Sequence, residues 1–119
     1  MDEIRRKVLI VDDDRRILAQ VAETLSAEGF DPVTAGNALE ALYLLENAQG
    51  LALIVVDIRI PGRVDGILFS QLVAERGLPV IVISGKESPD DTEIPPGASF
   101  IGKPFRPADI AAEARRLAG

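Results

Sequence analysis

The sequence contains no cysteine and no histidine. Without cysteine there is no disulfide framework and no thiolate metal site, and a reducing, cytoplasmic setting is the expectation. Without histidine the chain cannot build a Ser-His triad or a His-ligated zinc site, and it cannot carry a phosphohistidine of its own. Aromatic residues make up only 4% of the chain, so the core must be aliphatic. Long apolar runs are missing as well. The longest, LALIVV (51–56), falls far short of the roughly 20 residues a membrane span needs. The opening MDEIRRKV is polar and unlike a signal peptide, so no membrane insertion is expected. Positive charge is in the minority, with 13 basic against 19 acidic residues and a net charge of −6. Such a chain repels a phosphate backbone, and nucleic acid is not an expected partner.

What is present suits one domain spanning 1–119, since 119 residues enclose one hydrophobic core and not two. VLIV (8–11), LALIVV (51–56) and VIVI (80–83) are β-branched-rich and do not alternate with polar residues. Such runs suit central strands of a parallel sheet, buried on both faces. DPVTA (31–35) and SFIG (99–102) read as two weaker strands. Helical patterns lie between them. Ile17, Leu18, Val21 and Leu25 share one face before Gly29, and Asn37 can cap a helix carrying Leu39, Leu42 and Leu45. A third helix runs from about Asp65 to Arg76, and a last one begins near Pro107. Alternation of strand and helix predicts an α/β fold. Residues 84–98, SGKESPDDTEIPPGA, break the rhythm. Pro95-Pro96 cannot lie inside a helix, so a fourth helix is expected to be short or irregular, confined to about 89–94.

The residues that follow each apolar run carry the chemistry. The first run ends in Asp12-Asp13-Asp14, the third strand in Asp57, the fourth in Ser84-Gly85 and the fifth in Lys103-Pro104. In an open parallel sheet ligands bind outside the carboxyl ends of the strands, where strand order reverses. Carboxylates gathered there repel one another unless a cation is present, and hard oxygen ligands favour Mg²⁺. Lys103 can meet one phosphoryl oxygen and the Ser84 hydroxyl another. A metal, a lysine and a hydroxyl around one carboxylate make a phosphoryl-transfer site, with Asp57 as the nucleophile that forms an acyl phosphate.

VLIVDDD, VVDIRIPGRVDG, VIVISG and FIGKPF resemble the successive motifs of the bacterial response-regulator receiver family, in order and over nearly the whole chain. The resemblance implies a doubly wound, flavodoxin-like five-stranded parallel sheet of order 2-1-3-4-5 with five helices. It implies that Asp12 and Asp13 hold Mg²⁺ together with Asp57 and the main-chain carbonyl of Arg59, and that Asp57 is phosphorylated. Ser84 matches the switch hydroxyl, Phe100 the switch aromatic, and Lys103 the phosphoryl-binding lysine, with Pro104 after it in a cis peptide. Gly85 and the side chains of Arg59 and Lys86 fall where the family modulates access to the phosphoryl group. The implied phosphate donor is a phosphohistidine on a sensor histidine kinase or a histidine phosphotransfer protein, and the output is an unidentified protein that reads a switched face. SGKES and IPPGASFIGKPF are more similar to stand-alone, chemotaxis-type receivers than to receivers fused to DNA-binding domains. Three departures stand out. The loop from Asp57 to Asp65 is one residue longer than usual, the span from Ser84 to Phe100 is shorter, and Arg106 replaces a capping aspartate.

Blander readings exist for each residue. Asp14 directly precedes a helical pattern and reads as its cap. Asp12 and Asp13 could be loop acids, Ser84 a turn residue, Phe100 an edge-strand aromatic and Lys103 a solvated lysine. Their joint register at the strand ends argues against coincidence. One rival function is a haloacid-dehalogenase-type phosphatase with Asp12 as nucleophile. It needs further acids after the lysine, and only Asp109 and Glu113 lie there. The other is a receiver-like binding module that is never phosphorylated.

Overall fold

The computed structural model describes residues 5–60, 65–85 and 94–119. Five strands form where the apolar runs predict them: β1 (Lys7–Val11), β2 (Asp31–Ala35), β3 (Leu51–Asp57), β4 (Val80–Ser84) and β5 (Ser99–Gly102). Among the described residues four helices connect or follow them: α1 (Arg15–Ala27), α2 (Ala38–Asn47), α3 (Gly66–Glu75) and α4 (Pro107–Ala118). All strand pairs are parallel and the order is β2-β1-β3-β4-β5, the doubly wound arrangement expected. The chain winds outward from β1 to β2 and then returns to β3. The switch in direction therefore lies between β1 and β3.

The continuous apolar runs are explained by two cores, one on each face of the sheet. Side chains alternate along a strand. Leu9, Val11, Ile54, Val56 and Val82 meet Ala41, Leu45, Phe69 and Val73 from α2 and α3. Val8, Ile10, Val55, Ile81 and Ile83 meet Leu18, Val21, Leu25, Ile110 and Ala114 from α1 and α4. Each such side chain taken fully out of water contributes about 1.5–3 kcal/mol, and a strand with one polar face would forfeit half of that.

Local chemistry sets the helix ends. The Asp14 carboxylate accepts hydrogen bonds from the Arg16 and Ile17 amides at 2.9 and 3.4 Å, so it is a cap, as its position suggested. Asn37 accepts from the Glu40 amide at 2.8 Å and Asp65 from the Leu68 amide at 2.9 Å. Arg106 has no side-chain acceptor with which to cap α4. Instead its backbone N–H donates to the Asp109 carboxylate at 2.9 Å, which supplies half of a reciprocal cap. α1 closes at Gly29, whose φ of +95° disfavours any residue with a Cβ.

The short fourth helix expected at about 89–94 falls largely on 86–93, outside the described residues. Residues 94–98 form a turn, with the Ala98 amide on the Pro95 carbonyl at 3.1 Å, so no helix runs through Pro95-Pro96. No described helix is long and apolar enough to cross a membrane.

Candidate functional site

Parallel register alone assembles the site. β1 and β3 pair with Val11 opposite Val56, which brings Asp12 beside Asp57 across the switch point. β3 and β4 pair with Asp57 opposite Ile83, and the Ile58 amide donates to the Ile83 carbonyl at 3.1 Å. β4 and β5 pair with Ser84 opposite Gly102, and the Lys103 amide donates to the Ser84 carbonyl at 2.9 Å. Four strand ends thus deliver Asp12, Asp57, Ser84 and Lys103 to one edge of the sheet.

Asp12, Asp57 and Ser84 are all buried, whereas Asp13 and Arg59 are exposed. The two oxygens of Asp57 have different partners. Oδ1 accepts from the Arg59 amide at 2.8 Å, and Oδ2 lies 2.5 Å from Lys103 Nζ. Burial alone would lower the pKa of the Lys103 ammonium. Its hydrogen bond to Asp57 and the charges of Asp57, Asp12 and Asp13 outweigh that and raise it. Lys103 is therefore a fixed cation. The Lys103–Pro104 peptide is cis.

Asp12 is in the opposite condition. Its Oδ1 accepts from the Asp14 amide at 2.9 Å, but its Oδ2 is buried with no hydrogen-bond partner. Burial pushes this carboxyl up to about 6. The neighbouring charges of Asp57 and Asp13 add to the rise, while the Asp14 amide and Lys103 oppose it. A buried acceptor with no partner costs about 1–3 kcal/mol, so this oxygen is suited to a ligand.

Asp12, Asp13 and Asp57 share one end of the sheet, yet among the described residues no three carboxylates close into a metal cage. Asp13 stays exposed, and Lys103 Nζ engages Asp57 Oδ2. The orphaned Asp12 oxygen, and a donor set made only of oxygens, fit a hard divalent cation.

The remaining expected residues are placed as follows. Phe100 on β5 is half-buried against the core under α2 and α3. Gly85 is exposed, and a Cβ there would lie 3.6 Å from Lys103 Cβ, so the glycine leaves room above the lysine. Lys86 lies outside the described residues.

Two features were not visible in the sequence. A Cβ on Gly66 would lie 2.2 Å from Ile58 Cα and 2.6 Å from the Asp57 carbonyl oxygen. The first residue of α3 therefore rests directly on the backbone that carries Asp57. The Asp65-Gly66 pair signals a helix start, but nothing in it says what the glycine touches. Beside Lys103 there is also a hollow of about 470 Å³, lined by Ile17, Gln20, Lys103, Pro104, Phe105 and Pro107.

The acids required by the phosphatase reading are elsewhere. Glu113 accepts from Ser99 Oγ at 2.7 Å and pairs with Arg116, near the start of β5 and so at the opposite end of the sheet. Asp109 is bound to the Arg106 amide.

A doubly wound sheet whose switch point carries buried acids, a hydroxyl and a fixed lysine defines a class of α/β signalling domain. Residues 8–115 match the response regulator receiver domain, and the chain belongs to that family. It is 30% identical over 118 residues to the DNA-binding response regulator MtrA of Mycobacterium tuberculosis, covering 97% of this chain and 51% of that protein. It is 32% identical to the transcriptional regulatory protein AruR of Pseudomonas aeruginosa, covering 93% and 48%. The chain spans about half the length of these curated relatives. Among solved structures, the chemotaxis response regulator CheY4 of Vibrio cholerae superposes with a TM-score of 0.83 at 27% identity, covering 96% of this chain and 99% of that one. Proteins similar to this chain thus include one of nearly its own length and others about twice as long. Family membership disfavours the phosphatase.

Proposed function

We propose that this receiver domain accepts a phosphoryl group on Asp57 from a phosphohistidine of a sensor histidine kinase or a histidine phosphotransfer protein. It passes the signal to a separate protein through a switched surface. The observation that carries this reading is the pairing of buried Asp57 with Lys103 Nζ at 2.5 Å, next to a second buried carboxylate that has a free oxygen.

A carboxylate oxygen of Asp57 attacks phosphorus, the P–N bond breaks, and the donor imidazole leaves with a proton from solvent. Mg²⁺ held by Asp12, Asp13, Asp57 and the Arg59 main-chain carbonyl would neutralise the crowded carboxylates and the phosphoryl oxygens. Lys103 keeps its charge throughout and transfers its hydrogen bond from the Asp57 carboxylate to a phosphoryl oxygen. The Ser84 hydroxyl, buried one residue beyond the Asp57 register, donates to another oxygen. Movement of Ser84 toward the phosphate opens space on the side of Phe100, whose half-buried ring takes it. This couples a local charge to a remote face. The hollow lined by Ile17, Pro104 and Phe105 gives a donor protein an apolar foothold beside Lys103.

Intact-mass and peptide mass spectrometry after exposure to a small phosphodonor tests the assignment. Wild type should gain one Mg²⁺-dependent phosphoryl group on Asp57, and Asp57→Asn none. Equal modification of the Asn variant would move the acceptor elsewhere.

A further inference from the structure

The two helical layers differ in what they show to solvent. α1 and α4 expose mixed charge, including Arg15, Arg16, Glu23, Asp109, Arg115 and Arg116. α2 and α3 instead expose large apolar side chains. Leu39 is 76% exposed, Tyr43 66% and Leu68 43%, and they are the exposed large hydrophobic residues among those described.

They are placed together. Leu39 and Tyr43 are one helical turn apart on α2, so they stack on one face. Leu39 and Leu68 sit in the first turns of α2 and α3, which run side by side over the same face of the sheet. Leu39 and Tyr43 thus make an exposed apolar pair on α2, and Leu68 adds a third exposed apolar side chain on the neighbouring α3, whose cap residue Arg76 is tied to α2 through Glu46. The exposed charges on the same two helices are mostly of one sign. Glu40, Glu46, Asp65 and Glu75 are exposed on these helices and their caps, against the single cation Arg76, which pairs with Glu46.

We infer that the α2–α3 face is a docking surface for an amphipathic helix of a partner protein, one with an apolar stripe flanked by lysine or arginine. An apolar stripe at helical spacing is read by a helix in the same periodicity. The carboxylate rim selects the sign of the partner's flanks. A second copy of this chain fits poorly, because a two-fold contact places the same patch against itself and sets carboxylates against carboxylates. The inference does not depend on phosphorylation at Asp57.

The test uses the whole chain, ¹⁵N-labelled, and two synthetic 18-residue helical peptides with the same leucine stripe. One has lysine flanks and the other glutamate flanks. The lysine peptide should bind saturably, shift amides of α2 and α3, and bind about tenfold more tightly than the glutamate peptide. Leu39→Ser/Tyr43→Ser should weaken it about tenfold or more, with the thermal unfolding midpoint kept because both side chains are exposed. Glu40→Lys should narrow or reverse the preference between peptides. Equal affinity for both peptides, shifts confined to α1 and α4, or binding indifferent to Leu39→Ser/Tyr43→Ser would overturn the inference. So would a concentration-dependent dimer that the same double variant abolishes, since the face would then belong to a second copy.

Discussion

Replacing Asp12 with asparagine should make the metal-free protein more stable, at the expense of its chemistry. Asp12 is buried, one of its oxygens has no partner, and its carboxyl is moved from an ordinary 3.8 to about 6. Above pH 6 the folded protein holds a charge it would rather protonate, and a displacement of that size corresponds to about 3 kcal/mol lost from stability. The folded state binds this proton more tightly than the unfolded state does. Its contribution is therefore fully present below about pH 4 and lost as pH rises through 6. Asparagine keeps an acceptor for the Asp14 amide but gives up a charge-assisted hydrogen bond, which leaves a net gain of about 1–2 kcal/mol. For a domain of this size that is a rise of about 4–10 °C in Tm. Thermal unfolding in EDTA at pH 7.5 should show the rise, and at pH 4.5 most of it should disappear. Adding Mg²⁺ should stabilise wild type and close the gap, with little effect on Asp12→Asn. An unchanged or lower Tm for the variant in EDTA at pH 7.5 would refute the reasoning, as would a gap that is the same at both pH values.

Three further outcomes are expected. Gly66→Ala would normally stabilise a helix by about 1 kcal/mol, but here the added Cβ meets Ile58 Cα at 2.2 Å. The variant should lose about 1–3 kcal/mol in urea unfolding and take up phosphate more slowly, and a gain in stability would show that α3 does not rest on the Asp57 backbone. Glu113 is held down to about 2 by its hydrogen bonds to Arg116 and Ser99. The stability it adds is present above about pH 4.5 and lost as pH falls toward 2. Glu113→Gln should therefore cost about 1 kcal/mol at pH 7 and progressively less below pH 4.5, measured by urea titration across that range. Arg59→Asn and Lys86→Glu should each shorten the lifetime of the phosphorylated form. If each cation raises the hydrolytic barrier by about 1.4 kcal/mol the change is roughly tenfold per residue, and unchanged decay of ³²P-labelled protein would leave both as ordinary surface charges.

Much of this architecture is legible without coordinates, for local reasons. VLIV, LALIVV and VIVI cannot sit on a sheet with a wet face, so a parallel sheet covered on both sides follows from composition alone. Asp14, Asn37 and Asp65 announce helix starts because a side-chain acceptor there satisfies amides that the helix leaves open. The strand-end placement of Asp12, Asp57, Ser84 and Lys103 follows from the strand-like segments VLIV, LALIVV, VIVI and SFIG, since each directly follows one of them. Other properties depend on distance between segments far apart in the chain, and no local pattern encodes them. The sequence distinguishes Asp57 from the Asp12-Asp13 pair but does not say which of the three acids are buried. Only the fold buries Asp12 and Asp57, leaves Asp13 outside and sets Lys103 on Asp57. The orphaned oxygen of Asp12 and the approach of Gly66 to Ile58 likewise arise from how α3 and the strand ends pack. Leu39 and Tyr43 show the same limit from the other side. Leu39 fits the apolar periodicity of α2 as a core residue, yet the sheet can bury only one side of a helix, and the helix's rotation left both residues facing water.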